Sequence, residues 1–248
     1  MARSEAAPGA NKPRLLRGRR RGRKLRAGRR NLLERRLPQL ALAPPPDGVL
    51  DIRSLFDAAP ADVWLEIGFG AGEHLAWQAE RHPEVGFIGA EVFINGVASL
   101  LRQVDAAGLT NLRLWLDDGR DLIDALPPES LGRVFVLFPD PWRKARHHKR
   151  RFIQRATLDR LAEIMKDGAE LRFATDHAGY LLWSLERLSA HPDFLWLARA
   201  SRDWRERPDD WPPTRYEQKA VDQGRRPTYL RFVRRRRGRP SRSGREAR

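Results

Sequence analysis

Residues 61–81 read ADVWLEIGFGAGEHLAWQAER. The first seven, ADVWLEI, are mostly apolar, with branched and aromatic side chains, and read as a buried strand. Gly68, Gly70 and Gly72 follow at once, and EHLAWQAER then opens a helical pattern. A strand that passes through a glycine turn into a helix is the first half of a βαβ unit. Its glycines lie where a ligand can press on the backbone at the carboxyl edge of a sheet.

The same alternation extends down the chain. VGFIGAEV (85–92) reads as a second strand, followed by NGVASLLRQVDAAG, with Val97, Leu100, Leu101 and Val104 at helical spacing and Gly108 as the stop. LRLWL (112–116) is a third strand, and RVFVLF (133–138) a fourth, apolar after its first residue as a strand covered on both faces requires. The spacing predicts a helix over 152–166, a fifth strand AELRFAT (169–175) and a helix over 178–190. FLWLA (194–198) and TYLRFV (228–233) read as two last strands, flanking a Pro- and Trp-rich connection, 203–217, anchored by Trp204 and Trp211. ALAPPPDG (41–48) reads as a linker or turn. The pattern predicts an α/β fold with a doubly wound, mostly parallel sheet.

The 248 residues suit one domain with tails, and the 41% of hydrophobic residues suffices for a core. No stretch approaches the roughly 18 apolar residues of a membrane span, and MARSEAAPGANKPRLLRGRR lacks the apolar run of a signal peptide. With no Cys, disulfides and thiolate metal sites are excluded. His147 and His148 are adjacent rather than spaced as helical metal ligands, so no metal is expected. A reducing cytoplasm is the expected location. The net charge of +16 is uneven: residues 1–36 carry 14 basic and 2 acidic residues, and 234–248 carry 8 basic and 1 acidic. The expected organisation is therefore a basic arm over 1–36 without fold, a central domain over 37–233 and a basic tail over 234–248 without fold. Such runs point to nucleic acid. Of the 48 basic residues 42 are Arg, however, which compositional bias alone also produces.

Four acids fall along the predicted sheet edge. Glu66 lies within the end of the first strand, Glu91 ends the second, Asp118 follows the third in LDDGRD, and Asp140 follows the fourth. One such acid alone reads as a solvated loop carboxylate. Four beside a glycine loop read as a site. The glycine spacing is GxGxG, not the GxGxxG of a dinucleotide site, and Glu73 after it would repel a pyrophosphate. An acid at the end of the second strand suits ribose hydroxyls, and Asp118 is placed for an adenine amine. A nucleoside carrying a cation and no phosphate fits this set, as S-adenosylmethionine does. A nicotinamide dehydrogenase fits less well on spacing and charge.

Residues 137–151, LFPDPWRKARHHKRR, set Asp140 between two prolines and before six Arg or Lys. EIGFGAG, then AEV, then FPDPWRKARHHKRR, then ATD, then TRYEQ together resemble the bacterial tRNA (guanine-N7)-methyltransferase family over residues 60–233, and the FPDPW stretch is the most specific. The resemblance implies a class I S-adenosylmethionine-dependent methyltransferase (Rossmann-like) fold, tRNA as substrate, and methyl transfer to N7 of a guanine in the variable loop. It implies that Glu66, Gly68, Gly70, Glu91, Asp118 and Asp140 bind the cofactor, with Asp140 also at the reaction centre. It implies that Lys144, Asp176, Thr214, Arg215, Tyr216 and Glu217 contact substrate, and that Arg146, His147, His148, Lys149, Arg150 and Arg151 hold RNA. The family pattern is usually TKFE, where Arg215 and Tyr216 keep charge and aromaticity but Arg forks and Lys does not. Trp142 either stacks on a base or packs the loop onto the sheet. Asp140 or Asp176 would read the guanine edge. A methyltransferase of another RNA and a non-catalytic RNA-binding protein on this fold are the alternatives, and the chain is expected as monomer or homodimer. If the basic runs bind RNA through phosphates, filter-binding affinity for tRNA falls steeply as salt rises. A flat profile would leave the charge as compositional bias.

Overall fold

The computed structural model describes residues 20–45 and 48–238. In chain order the elements are α1 (Ala27–Leu40), β1 (Asp62–Ile67), α2 (Glu73–Arg81), β2 (Val85–Ala90), α3 (Ile94–Ala107), β3 (Leu112–Trp115), α4 (Gly119–Ala125) and β4 (Leu131–Leu137). They continue with α5 (Arg155–Ile164), β5 (Met165–Thr175), α6 (Ala178–Ser189), β6 (Phe194–Trp196), a single turn α7 (Arg202–Arg205), α8 (Arg215–Asp222) and β7 (Thr228–Arg234).

The strands form one sheet in the order β3-β2-β1-β4-β5-β7-β6. β1 to β5 run parallel, and β7 is antiparallel between β5 and β6. Strand periodicity of two sends alternate residues to opposite faces. Leu65, Ile88, Val134, Val136, Leu171 and Phe173 pack with α4, α5 and α6 on one face. Trp64, Phe87, Phe135 and Leu137 pack with α1, α2 and α3 on the other. Both faces are covered, as the unbroken apolar run in β4 predicted. The order reverses at β1: the chain winds outward to β3, then returns to β4 on the far side. This doubly wound, mostly parallel sheet is the Rossmann-like α/β architecture that the strand-helix alternation predicts. Among the described residues no helix is long and apolar enough to cross a membrane.

Several expectations need correcting. Residues 27–36 are not a foldless arm: they belong to α1, whose Leu32 and Leu40 are buried beside α3. Arg36 also pairs with Asp105 at 3.2 Å. Ala41 bridges to Leu114 beside β3, so 41–42 extends the sheet edge where a linker was expected. β5 starts at Met165, directly after α5 and four residues earlier than its apolar pattern suggests. The start of the C-terminal run is likewise built in. Arg237 Nη2 donates to the carbonyls of Ala162, Glu163 and Met165, each at 2.9 Å, covering orphan acceptors at the end of α5. Arg234 Nε donates to Ala162 O at 3.0 Å. Residues 1–19 and 239–248, the remainder of the two expected arms, lie outside the described residues.

A charged ladder crosses β4, β5 and β7 under the 203–217 connection. Arg172, 1% exposed, donates from Nε to Glu170 at 2.8 Å and from Nη2 to Asp210 at 2.7 Å. Arg231 donates to the other Glu170 oxygen at 2.8 Å. Burial pushes the Glu170 carboxyl up, but Arg231 and Arg172 outweigh it and hold it below its ordinary 4.5. A depressed carboxylate contributes stability above its unfolded value and loses it as pH falls through the folded one. Glu170→Gln should therefore cost about 3 kcal/mol at neutral pH by leaving Arg172 short of a partner. In urea melts the gap to wild type should close as pH drops below that ordinary carboxylate value. A gap constant with pH would refute the ion-pair account.

Candidate active site

The reversal of strand order opens a crevice at the carboxyl ends of β1 and β4. A cavity of about 370 Å³ lies there. Its wall combines the glycine loop after β1 (Gly68, Gly70), Glu91 after β2, Asp117 and Asp118 after β3, and Phe138 to Asp140 after β4. Four carboxylates line it (Glu91, Asp117, Asp118, Asp140) against two guanidiniums (Arg120, Arg150). Ile67, Val92, Phe93 and Leu137 supply apolar surface. An acid-rich, partly apolar cleft fits a cationic nucleoside and opposes a phosphate-bearing one, so the donor set fits S-adenosylmethionine.

The glycine loop is held from two sides. Gly70 has φ 60° and donates its N–H to Glu91 Oε2 at 2.7 Å, while Phe93 N–H donates to Oε1 at 2.9 Å. Burial pushes the Glu91 carboxyl up, and these backbone donors only partly oppose it. Gly96, at the start of α3, completes the contact: a Cβ there would lie 2.0 Å from the Gly70 carbonyl oxygen. Its helical context gave no hint of this close approach.

The acid before the loop is placed differently. Glu66, 2% exposed, borders a small recess beside the main cavity, with Gly68 and Tyr216, and its Oε2 accepts from His74 Nδ1 at 2.7 Å. Asp118 caps α4 by accepting from Arg120 N at 3.0 Å, and Arg120 Nε approaches the same oxygen at 2.9 Å. Asp140 is exposed at the rim and makes no hydrogen bond or ion pair among the described residues. Phe138 and Trp142, on either side of the Pro139-Asp140-Pro141 turn, take φ of 47° and 48°, a conformation that non-glycine residues hold only under local constraint. Trp142 lines the cavity with Arg150 stacked 4.9 Å over its ring, so it is part of the pocket rather than a pure loop anchor.

The basic stretch divides. Lys144, Arg146 and Lys149 are exposed around a 3-10 turn over Ala145–Arg150. His147 sets its ring edge on Trp142, and His148 on Trp183. Arg151, expected to hold RNA, is instead 2% exposed. It donates to the carbonyls of Pro141 at 2.9 Å and Gly179 at 3.3 Å, bracing the turn that carries Asp140. Asp176 follows β5 and is ion-paired with Arg225. Thr214 caps α8 by accepting from Glu217 N at 3.2 Å. Arg215 pairs with Glu73 at 3.3 Å, and Tyr216 lies over Gly70 in the cavity wall. Burial first, then the Glu91 charge, pushes the Tyr216 phenol up. Glu217, expected at the substrate, is buried; it accepts from Tyr229 OH at 2.7 Å and pairs with Arg207 at 3.1 Å.

Residues 20–23 were missed as part of this region. Arg20 O accepts from Ile94 N at 3.0 Å, and Gly22 N donates to Asn95 Oδ1 at 2.8 Å. Asn95 Nδ2 donates in turn to Arg23 O at 2.8 Å. Arg20 and Arg21 line a second cavity of about 400 Å³ that shares Glu91 and Val92 with the first. An arginine run has no periodicity that would reveal this.

Gly96→Ala tests the loop geometry. In an open helix position Ala would stabilise by about 1 kcal/mol over Gly. Here the mutant should melt below wild type and lose at least about tenfold in affinity for S-adenosylhomocysteine by calorimetry. A raised Tm with unchanged binding would refute the close approach.

Known proteins resemble this chain over most of its length. Residues 60–230 match the family described as "Putative methyltransferase". The tRNA (guanine-N(7)-)-methyltransferase of Rhodospirillum rubrum is 53% identical over 223 residues, covering 88% of this chain and 87% of that protein. Relatives of the same name from Paramagnetospirillum magneticum and Chelativorans sp. are 50% and 47% identical, covering 91% and 88% of this chain and 94% of each relative. The chain belongs to the bacterial tRNA (guanine-N7)-methyltransferase family.

Proposed function

We propose that this chain transfers a methyl group from S-adenosylmethionine to N7 of a guanine in the variable loop of tRNA. The observation that carries the reading is the acid-lined cavity opening directly beneath Asp140 and the exposed basic turn. S-adenosylmethionine supplies a methyl group on a positively charged sulfonium. Glu91 accepts from ribose hydroxyls with the lone pairs left beyond its two backbone donors. Asp117 and Asp118 stand at the β3 end for the adenine amine, and Gly68 and Gly70 line the donor side, with Glu66 in the small recess beside it.

Guanine N7 carries a lone pair and no proton, so the chain needs no strong base to create a nucleophile. Its residues contribute chiefly alignment and fixed negative charge near a reaction that moves positive charge onto the purine. Asp140 is held between two prolines and has no competing partner, so its carboxylate can accept from the guanine N1–H and N2 amine. Asp176, the other candidate for that task, is engaged by Arg225. Lys144, Arg146, Lys149 and Arg150, with His147 and His148 beside them, hold phosphates, which positions RNA without reading its sequence. Arg151 supports that turn from within, and Glu217 supports the position of Tyr216 in the same way.

Incubation with labelled S-adenosylmethionine and unmodified tRNA should give 7-methylguanosine by mass spectrometry of the nucleosides. Asp140→Ala should lower kcat/KM by about a hundredfold or more, with cofactor affinity reduced far less. A different methylated nucleoside would keep the donor and reject the substrate. No product despite tight binding of both ligands would favour a non-catalytic RNA-binding protein.

A further inference from the structure

Behind the glycine loop lies a buried polar chain that the reaction chemistry does not require. Glu66, His74 and Gln78 are each at most 2% exposed. His74 Nδ1 contacts Glu66 Oε2 at 2.7 Å, and His74 Nε2 lies 3.2 Å from Gln78 Nε2. Gln78 Nε2 also donates to the Asp210 carbonyl at 2.8 Å. The donor inventory assigns the hydrogens. An amide nitrogen has two donors and no acceptor. Turning the Gln78 amide over would set its oxygen against the Asp210 carbonyl. Gln78 therefore donates both ways, His74 Nε2 accepts, and Nδ1 carries the hydrogen that Glu66 receives. The orientation originates in Asp210, whose own carboxylate is held by Arg172 at 2.7 Å.

We infer that His74 is a positioning residue for the methyl-donor site: its Nδ1–H holds the Glu66 carboxylate, and through Gln78 it ties that carboxylate to the connection that carries Tyr216. This rests on the cofactor reading of the cavity. Packing does not account for an imidazole here. The ring lies edge-on to Phe135 at 4.6 Å and near Trp211 at 5.8 Å, surroundings that a phenyl ring would suit. A buried polar nitrogen costs stability unless it is bonded, and both nitrogens of this ring are bonded.

The test uses substitutions that separate ring from donor. His74→Phe keeps an aromatic ring and removes Nδ1–H; His74→Asn loses the ring but keeps an amide donor near the Nδ1 position. By calorimetry, His74→Phe should weaken S-adenosylhomocysteine binding about 10- to 100-fold, the effect of losing one hydrogen bond to a buried charge. His74→Asn should stay within about threefold of wild type. KM for the methyl donor should rise in the Phe variant with tRNA affinity unchanged. Adding His74→Phe to Glu66→Gln should cost nothing further, because His74 acts through Glu66. Should Phe lower the melting temperature, His74→Gln, which reaches the Nε2 position but not Nδ1, gives the same comparison. Wild-type affinity in the donor-less variants, equal losses in Phe and Asn, or additive losses with Glu66→Gln would each overturn the inference. Failure of the wild type itself to bind S-adenosylhomocysteine would instead reject the reading of the cavity.

Discussion

A parallel sheet buried on both faces leaves only its edges and strand ends for chemistry, and this constraint organises the molecule. Helices close both faces, so most residues inside β1, β2 and β4 are committed to packing. The strand order then reverses between β1 and β4, where the two connections leave in opposite directions and cannot fill the space between them. The cavity, the glycine loop and the cavity-lining acids all stand at that one gap. The close approach of α3 to the glycine loop through Gly96 follows from the same geometry, because α3 must cross beside the loop to bring the chain to β3.

The arginines serve two different purposes that their abundance conceals. Arg151, Arg172, Arg234 and Arg237 are drawn into the fold, where they satisfy carbonyls and carboxylates of neighbouring elements. A planar guanidinium with five donors suits such sites, and a Lys would leave most of those acceptors unmet. Lys144, Arg146 and Lys149 remain exposed around the rim. A basic residue next to a ligand-binding stretch is therefore no guide to its role, since Arg150 faces the cavity and Arg151 faces inward.

The site also carries a thermodynamic cost. Burial raises the Glu91 carboxyl, so its ionised form opposes folding at neutral pH, and the N–H groups of Gly70 and Phe93 return only part of that. Glu170 has the opposite sign, because two guanidiniums hold it ionised. The acid that stabilises the fold lies under the 203–217 connection. The acid that strains it lies in the cavity, where a ligand's hydrogen bonds can complete its environment.

Local order along the chain determined the sheet and its glycine loop. Strand and helix periodicities, the apolar run of β4 and the acids at four strand ends depend on neighbours in sequence, and their reading agrees with the observed elements. The FPDPW turn was equally legible, because its residues are contiguous, whereas the division of the basic residues after it was not. Tertiary structure alone decided the rest. Residues 20–23 join the cavity region through Asn95, over seventy positions away, and α1 earns its order from α3 rather than from its own weak pattern. His74 meets Glu66, and Gln78 meets the Asp210 carbonyl, only after α2 folds back on β1 and the 203–217 connection settles over both. Whether a given charge is a ligand contact or a brace depends on which partners the fold brings to it, and no local pattern encodes partners that distant.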